Sequence, residues 1–191
     1  TVREVLRHMT VELCVLVEID ALVVETSKKH IPKTACALSS CRALVRIEDG
    51  VKFVRETSER FDVIIVDSTE PFGPAKALFG AAFYKDARRI LTERGIMVSQ
   101  AGSPFYELGT IKNLTKTLKT VFPVTDVYTF TNLTYPGGLW AFAYASKGVH
   151  PVRHFNSARV KSARMSLRWY NAEIHVGSFS LPEFLRKVVG R

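Results

Sequence analysis

The chain has 191 residues, of which 47% are hydrophobic and 10% aromatic, enough material for one sizeable α/β core. Its 27 Lys and Arg residues exceed the 18 Asp and Glu residues and give a formal net charge of +9, but they are scattered along the chain. Scattered charge favours a solvated basic surface over a nucleic-acid footprint. Because the sequence has neither an apolar run of roughly 18 residues nor a signal-peptide core, we expect a cytoplasmic protein with no membrane partner.

The first segment, "TVREVLRH", reads as the inside of a helix. Val2, Val5, Leu6 and Met9 share one face, and no capping residue precedes them. We therefore expect the start of a longer protein to be missing from this sequence.

Strand and helix patterns then alternate along the chain. Apolar runs that end in polar residues predict buried parallel strands at residues 14–20, 43–50, 61–69 and 96–102. Helices are predicted at residues 21–30, 51–60, 81–95 and 109–122, and Gly95 is the expected C-cap of the third. Residues 124–132 and 139–147 predict a strand pair around "LTYPGG".

This order is typical of a Rossmann-like, doubly wound α/β sheet of the class I methyltransferase type, mostly parallel and ending in an antiparallel hairpin. The segment 150–191 is basic and irregular, and it ends in a short helical stretch. We expect the whole chain to form one domain, with this last segment packed on it.

The three cysteines, Cys14, Cys36 and Cys41, are too few and too poorly spaced for a zinc site or a disulfide framework. We expect no metal. Cys36 and Cys41 could pair in the protein of a hyperthermophile, but free thiols are the preferred interpretation.

Polar side chains follow four successive strands, where ligands bind in a doubly wound sheet. They are Glu18, Asp49, Asp67 with Glu70, and Gln100. Each alone could be a helix cap or a loop residue, but together they favour a binding crevice. A carboxylate in the position of Glu18 could accept hydrogen bonds from ribose hydroxyls. Asp49 could accept one from an amine such as adenine N6, with Gly50 allowing a close approach.

Ordered motifs carry a resemblance to a known family. "VEID", "EDG", "VDSTEPFGPA", "QAGSPF", "TYPGGLW" and "YNAEIHVGSFSLPEFLRK" follow one another as in the polyamine aminopropyltransferases, the spermidine synthase family, which the sequence strongly resembles. The resemblance implies transfer of an aminopropyl group from decarboxylated S-adenosylmethionine to an amine, most commonly putrescine, giving spermidine and methylthioadenosine. It implies no metal, and a homodimer or homotetramer.

The resemblance also assigns roles to single residues. Asp67 would be the catalytic carboxylate, and the remaining roles fall to Glu18 for the ribose, Asp49 and Gly50 for the adenine, Pro74 for the nucleoside, Glu70 and Tyr135 for the amine, and Gln100 as a lining residue. From the residues alone, Tyr135 could equally be a turn aromatic.

The chain departs from the family in two respects. Most members have "DSTDP" where this sequence has "DSTEP", so the preferred length of the amine stays open. The family also carries an N-terminal β-hairpin domain, a first sheet strand and a glycine-rich loop before a segment like Thr1 to His8. Without them we expect these 191 residues to be inactive alone.

Two other interpretations remain. A small-molecule methyltransferase would share the sheet and use S-adenosylmethionine, but an acid-rich crevice suits its substrate carboxylate poorly. A non-catalytic remnant or assembly subunit is the other, motivated by the missing N-terminal part.

Overall fold

The computed structural model describes residues 1–69 and 73–191 of the chain. In its first half, helices α1 to α4 span Val2–Val5, Ala21–His30, Pro32–Ala35 and Gly50–Glu56. Strands β1 to β3 span Cys14–Glu18, Ala43–Ile47 and Phe61–Val66, and short 3-10 helices occupy Cys36–Ser39 and Gly73–Phe79. The strands lie where the apolar runs predict them.

The second half adds five helices and three strands to the described part of the chain. Helices α5 to α9 span Ala81–Ile90, Leu108–Lys119, Ser157–Ser162, Ala172–Ser178 and Glu183–Val189. Strands β4 to β6 span Leu91–Gly102, Val124–Thr131 and Leu139–Ser146. Helices α7 and α8 were not predicted, and each begins at an asparagine whose side chain caps it, Asn156 and Asn171.

The strands confirm an α/β fold that ends in an antiparallel hairpin. Strand β1 pairs in parallel with β2, and a second sheet has the order β3-β4-β6-β5. Strand β3 is parallel to β4, whereas β6 is antiparallel to both β4 and β5 and so is the reversed strand of that sheet. The described strands form two sheets, because β1 and β3 are not hydrogen-bonded to each other in this part of the chain.

The predicted end of the third long helix is wrong. Helix α5 stops at Ile90, and the next residue, Leu91, is extended and pairs with Phe61 of β3. Both Ile90 and Leu91 are almost completely buried, so packing overrides the helix-forming tendency of the residues that follow. Gly95 is therefore no C-cap. It lies where the chain passes close to Leu91, whose Cβ would be 2.9 Å from a Cβ added at Gly95.

The main core lies between the four-stranded sheet and helices α5, α6 and α9. Tyr84, Ile90, Met97, Ile111 and Leu185 are among its most buried side chains. Val15 and Val17 of β1 pack against this same core, so the two sheets share one apolar interior. None of the helices in residues 1–69 and 73–191 has the length and apolar character needed to traverse a bilayer.

Candidate active site

Two of the predicted acids meet at the carboxyl end of the β1-β2 pair. Glu18 pairs with Ile47 in the parallel register, and Asp49 follows two residues after Ile47. The Glu18 carboxylate accepts the backbone N–H of Asp20 at 3.0 Å, and Asp49 caps α4 by accepting that of Val51 at 2.7 Å. Each bond occupies only part of a carboxylate's acceptor capacity, so both acids can accept further donors.

Asp67 and Gln100 lie side by side at the carboxyl end of the β3-β4 pair. Val66 pairs with Ser99, so Asp67 and Gln100, the residues that follow them, lie next to each other across the two strands. Asp67 is exposed, and its carboxylate accepts a hydrogen bond from the hydroxyl of Thr1, the residue directly before α1. The sequence did not predict the role of Thr1, because its hydrogen bond to Asp67 joins residues 66 positions apart and no local motif indicates it.

Tyr135 reaches the same edge from the turn between β5 and β6. Ala141 of β6 pairs with Gly102, so the start of β6 lies beside the end of β4. The ring of Tyr135 stacks on that of Trp140 with centroids 4.3 Å apart and an angle of 25° between the planes. The structure thus brings Tyr135 and Gln100 to one edge, with Trp140 as an aromatic neighbour that the sequence did not single out.

Glu107 adds a carboxylate that sequence reasoning also missed. It stands directly before α6, and its Oε2 atom accepts the backbone N–H of Ser103 at 2.8 Å. The carboxylate folds back over Gly102, since a Cβ added there would lie 1.8 Å from Oε2. A glutamate ahead of a helix and four residues after a serine is the available signal, but it reads as ordinary helix capping.

The loop after β3 carries two further predicted residues. Glu70 lies outside the described residues. Pro74 belongs to the 3-10 helix Gly73–Phe79, and the structure describes its backbone but not its side chain. Leu78 of that helix lies 3.9 Å from the position of a Cβ on Gly50, so the segment reaches the start of α4 beside Asp49.

The cysteines and the other acids form no metal centre in the described part of the chain, where no group of three or more His, Cys, Asp or Glu side chains could hold an ion. Cys14, Cys36 and Cys41 are free thiols. Burial raises the pKa of the Cys14 thiol, which disfavours its reactive thiolate.

A cleft of about 540 Å³ lies at the opposite edge of the four-stranded sheet. It is lined by Lys85, Arg88, Arg89, Glu93, Thr120, Val121 and Lys147. These residues surround the start of β4 and the end of β6, away from the carboxyl edge that carries Asp67. This basic cleft is therefore separate from the candidate active site.

A doubly wound α/β fold with acids at the carboxyl ends of its strands defines a class of proteins that bind nucleotides and related small molecules at that edge. The model of the spermine/spermidine synthase domain matches residues 1–156 of this chain. The chain belongs to that family.

Curated relatives and solved structures agree with the family assignment. The polyamine aminopropyltransferase of Caldicellulosiruptor saccharolyticus is 45% identical over 188 residues, covering 98% of this chain and 66% of the relative. That of Thermotoga petrophila is 41% identical over 191 residues, covering 100% of this chain and 64% of the relative.

Two solved structures superpose closely on the chain. A spermidine synthase in complex with the transition-state analogue AdoDATO matches with a TM-score of 0.95 and 40% identity, over 98% of this chain and 64% of that one. Spermidine synthase from Thermotoga maritima matches with a TM-score of 0.93 and 39% identity, over the same shares. The chain therefore spans about two thirds of the length of the relatives it matches.

Proposed function

We propose that the protein transfers the aminopropyl group of decarboxylated S-adenosylmethionine to a diamine, most commonly putrescine, giving spermidine and methylthioadenosine. The observation that carries this proposal is the placement of Asp67 and Gln100 just beyond the last β3-β4 pair, Val66 with Ser99, with Glu18 at the end of β1 and Asp49 just after β2. The names of the relatives and the AdoDATO complex of a solved neighbour support the same reaction.

The proposed reaction depends chiefly on alignment of the attacking nitrogen with the aminopropyl carbon. The lone pair of the attacking nitrogen forms a bond to the aminopropyl carbon that is attached to the sulfonium. The carbon–sulfur bond breaks, and its electron pair stays on sulfur as a neutral thioether. The new ammonium then releases one proton. The sulfonium already activates its carbon, so no metal is required and the protein supplies orientation and negative charge.

Individual residues divide these tasks. Glu18 accepts hydrogen bonds from the ribose, Asp49 and Gly50 meet the adenine, and Pro74 contacts the nucleoside. Asp67 faces the attacking nitrogen. Glu70 and Tyr135 hold the amine, with Gln100 lining the same pocket. The stacking of Tyr135 on Trp140 supports a rigid aromatic wall at this point.

Asp67 acts chiefly by orienting the amine. An ordinary carboxylate is about six pKa units less basic than an alkylamine, so direct removal of a proton from the ammonium is uphill by roughly 8 kcal/mol. The amine must therefore attack in its neutral form, with Asp67 aligning it and accepting its proton late or through water. We expect the rate to rise into the alkaline range as the free amine becomes more abundant.

Product analysis tests the proposal. The full-length protein is incubated with decarboxylated S-adenosylmethionine and a panel of amines from diaminopropane to spermidine and agmatine, and methylthioadenosine and the new polyamine are quantified. Asp67→Asn keeps the shape of the side chain but removes its charge, and should lower kcat by about a hundredfold or more.

A matched control is available on the same strand. Asp62 lies near the other end of β3, where it accepts the hydroxyl of Thr92 at 3.0 Å, and Asp62→Asn should leave kcat unchanged. If Asp67→Asn retains most of the rate, the assignment of Asp67 is wrong. Methyl transfer from S-adenosylmethionine would support the methyltransferase instead, and the absence of any turnover by the full-length protein would support a non-catalytic subunit.

Assembly and location belong to the same proposal. A homodimer or homotetramer in the cytoplasm, without nucleic-acid or membrane partners, rests on the resemblance and on the scattered charge. Light scattering coupled to size-exclusion chromatography tests the assembly. A monomer that is fully active would contradict the proposed homodimer or homotetramer.

A further inference from the structure

We infer that Glu107 determines specificity for diamines by binding the ammonium group that does not react. This inference rests on the proposed function. An α,ω-diamine has two nitrogens, and only the neutral one can attack. The other keeps its positive charge near neutral pH and needs an acceptor some distance from Asp67.

The position of Glu107 meets that need. Its carboxylate lies against Gly102, two residues beyond Gln100 on β4, while Asp67 lies beside Gln100 on the neighbouring strand. With strands about 4.8 Å apart and a rise of about 3.3 Å per residue, the backbones at Asp67 and Gly102 are about 8 Å apart. The nitrogens of an extended 1,4-diamine are about 6 Å apart, given bonds near 1.5 Å, so one molecule can reach both carboxylates.

The charge of Glu107 is available for a ligand. Its Oε2 atom accepts one backbone N–H, from Ser103 at 2.8 Å, and the side chain is half-buried. Among the described Lys, Arg and His side chains, none forms an ion pair with it, although the chain carries a net charge of +9. A carboxylate retained without a protein cation, at the edge where a dication binds, suits the second ammonium.

The surroundings of Glu107 connect it to the amine pocket. A Cβ added at Gly137 would lie 3.1 Å from both Phe105 and Tyr106 and 3.7 Å from the hydroxyl of Ser103. The loop that carries Glu107 thus packs against the turn that carries Tyr135. Aromatic side chains on both segments provide an apolar wall for the methylene groups between the two nitrogens.

Glycine at position 102 is what makes this placement possible. Its φ of +88° and the 1.8 Å approach of Oε2 leave no room for a larger side chain. Glu107, the residue directly before α6, can therefore place its carboxylate over the end of β4.

The test compares a diamine with a monoamine of the same length. Glu107→Gln keeps an oxygen that can accept the Ser103 N–H but loses the charge. We measure KM for 1,4-diaminobutane and the competitive inhibition constant of n-butylamine, which lacks the second ammonium. The preference for the diamine is the ratio of the n-butylamine inhibition constant to the KM for 1,4-diaminobutane. In the variant this ratio should fall by about ten- to a hundredfold, with KM for the aminopropyl donor unchanged.

The control and the binding measurement keep the outcomes distinct. Glu93→Gln removes a carboxylate whose side chain is 95% exposed at the opposite edge, and should leave the preference unchanged. Calorimetric titration of the diamine in the presence of methylthioadenosine reads binding without turnover. If the protein is inactive but its affinity for the diamine still falls in Glu107→Gln, the proposed reaction is wrong and the inference about Glu107 stands. An unchanged preference in Glu107→Gln would overturn the inference about Glu107.

Discussion

At the scale of single residues, Gly102 and Glu107 form a matched pair whose stability effect can be measured. Gly102→Ala should lower the free energy of unfolding by about 1–3 kcal/mol, because alanine is strained at a φ of +88° and its Cβ would displace the Glu107 carboxylate from Ser103. Denaturant unfolding measures this loss. The same variant should weaken diamine preference as Glu107→Gln does.

Gly109 provides the control for this substitution. It lies in the first turn of α6, where a Cβ would meet nothing within 4 Å, so Gly109→Ala should be neutral or stabilise the protein by up to about 1 kcal/mol. Equal losses in the two alanine variants would mean that backbone freedom, and not contact with Glu107, governs position 102.

The predicted site residues divide according to how local their signals are. Glu18 ends β1 and Gln100 lies near the end of β4, while Asp49 and Asp67 come within two residues after β2 and β3, so the register places all four at the carboxyl edge where the sequence predicts them. Glu107 could not be predicted in the same way. It reaches the edge by folding back over five positions of the chain, and that geometry depends on the conformation of Gly102.

At the scale of elements, three of the four cations that line the basic cleft, Arg88, Arg89 and Lys147, donate to carbonyl groups at helix ends. Arg89 donates to the carbonyl oxygens of Val54, Arg55 and Thr57 at the end of α4, at 2.8 to 3.1 Å. In the same cleft, Arg88 donates to a carbonyl just after α6, and Lys147 to one just after α5. Because helix carboxyl ends carry partial negative charge, these cations already have partners, and an anion would be poorly favoured there.

Arg89→Met should therefore destabilise the protein without affecting the reaction. We expect a loss of about 1–2 kcal/mol in thermal or denaturant unfolding, since three carbonyl groups lose a charged donor. Arg55→Met is the control, because the Arg55 side chain is exposed and, among the described residues, pairs with the neighbouring exposed Glu56, and it should cost less than about 0.5 kcal/mol. If phosphate protected the wild-type protein but not Arg89→Met against unfolding, the cleft would be an anion site after all.

The boundaries of the elements show where sequence patterns lose their value. Helix α2 has the bounds that its pattern predicts, because Asp20 caps it and the apolar spacing is local. Helix α5 ends five residues early, because Leu91 is drawn into the sheet by pairing with Phe61, a partner 30 positions away. Long-range pairing of this kind is absent from any window of local sequence.

At the scale of the whole molecule, alternating patterns predicted the fold class and the final β5-β6 hairpin, but not the order of the strands in the sheet. The last strand, β6, lies between β4 and β5, and its neighbour β4 begins 48 residues before it. The strand order depends on hydrogen-bonded partners that are far apart in the sequence, such as Cys14 with Ala43 and Val66 with Ser99. Periodicity reports which face of an element is apolar, and it does not report which element covers that face.

The C-terminal segment is joined to the sheet by an ion pair whose carboxylate is buried. Arg191 donates to the carboxylate of Asp126 on β5 at 2.9 Å and to the carbonyl of Phe179 at 3.1 Å. The Asp126 side chain is only 3% exposed. Burial raises the pKa of Asp126, and the N–H of Val127 and the charge of Arg191 partly oppose that rise. We infer that residues 150–191 fold as one unit with the preceding sheet, and that this ion pair contributes to their attachment.

Arg191→Gln should destabilise the whole molecule at neutral pH by about 1–2 kcal/mol, after allowing for screening at the partly exposed arginine. Because the pKa of Asp126 is higher in the folded state than in the unfolded state, folding binds a proton between the two values. The contribution of Asp126 to stability is thus largest below its unfolded pKa of about 4 and falls as the pH rises through the folded value. Without Arg191 the folded value rises further, so the loss should be largest at pH 7 and shrink towards pH 4. Unfolding curves at both pH values measure this difference.

Arg186→Gln, which removes an exposed partner of Glu183, is the control and should cost less than about 0.5 kcal/mol at either pH. A loss in Arg191→Gln that is the same at both pH values would assign its effect to the Phe179 carbonyl and not to Asp126.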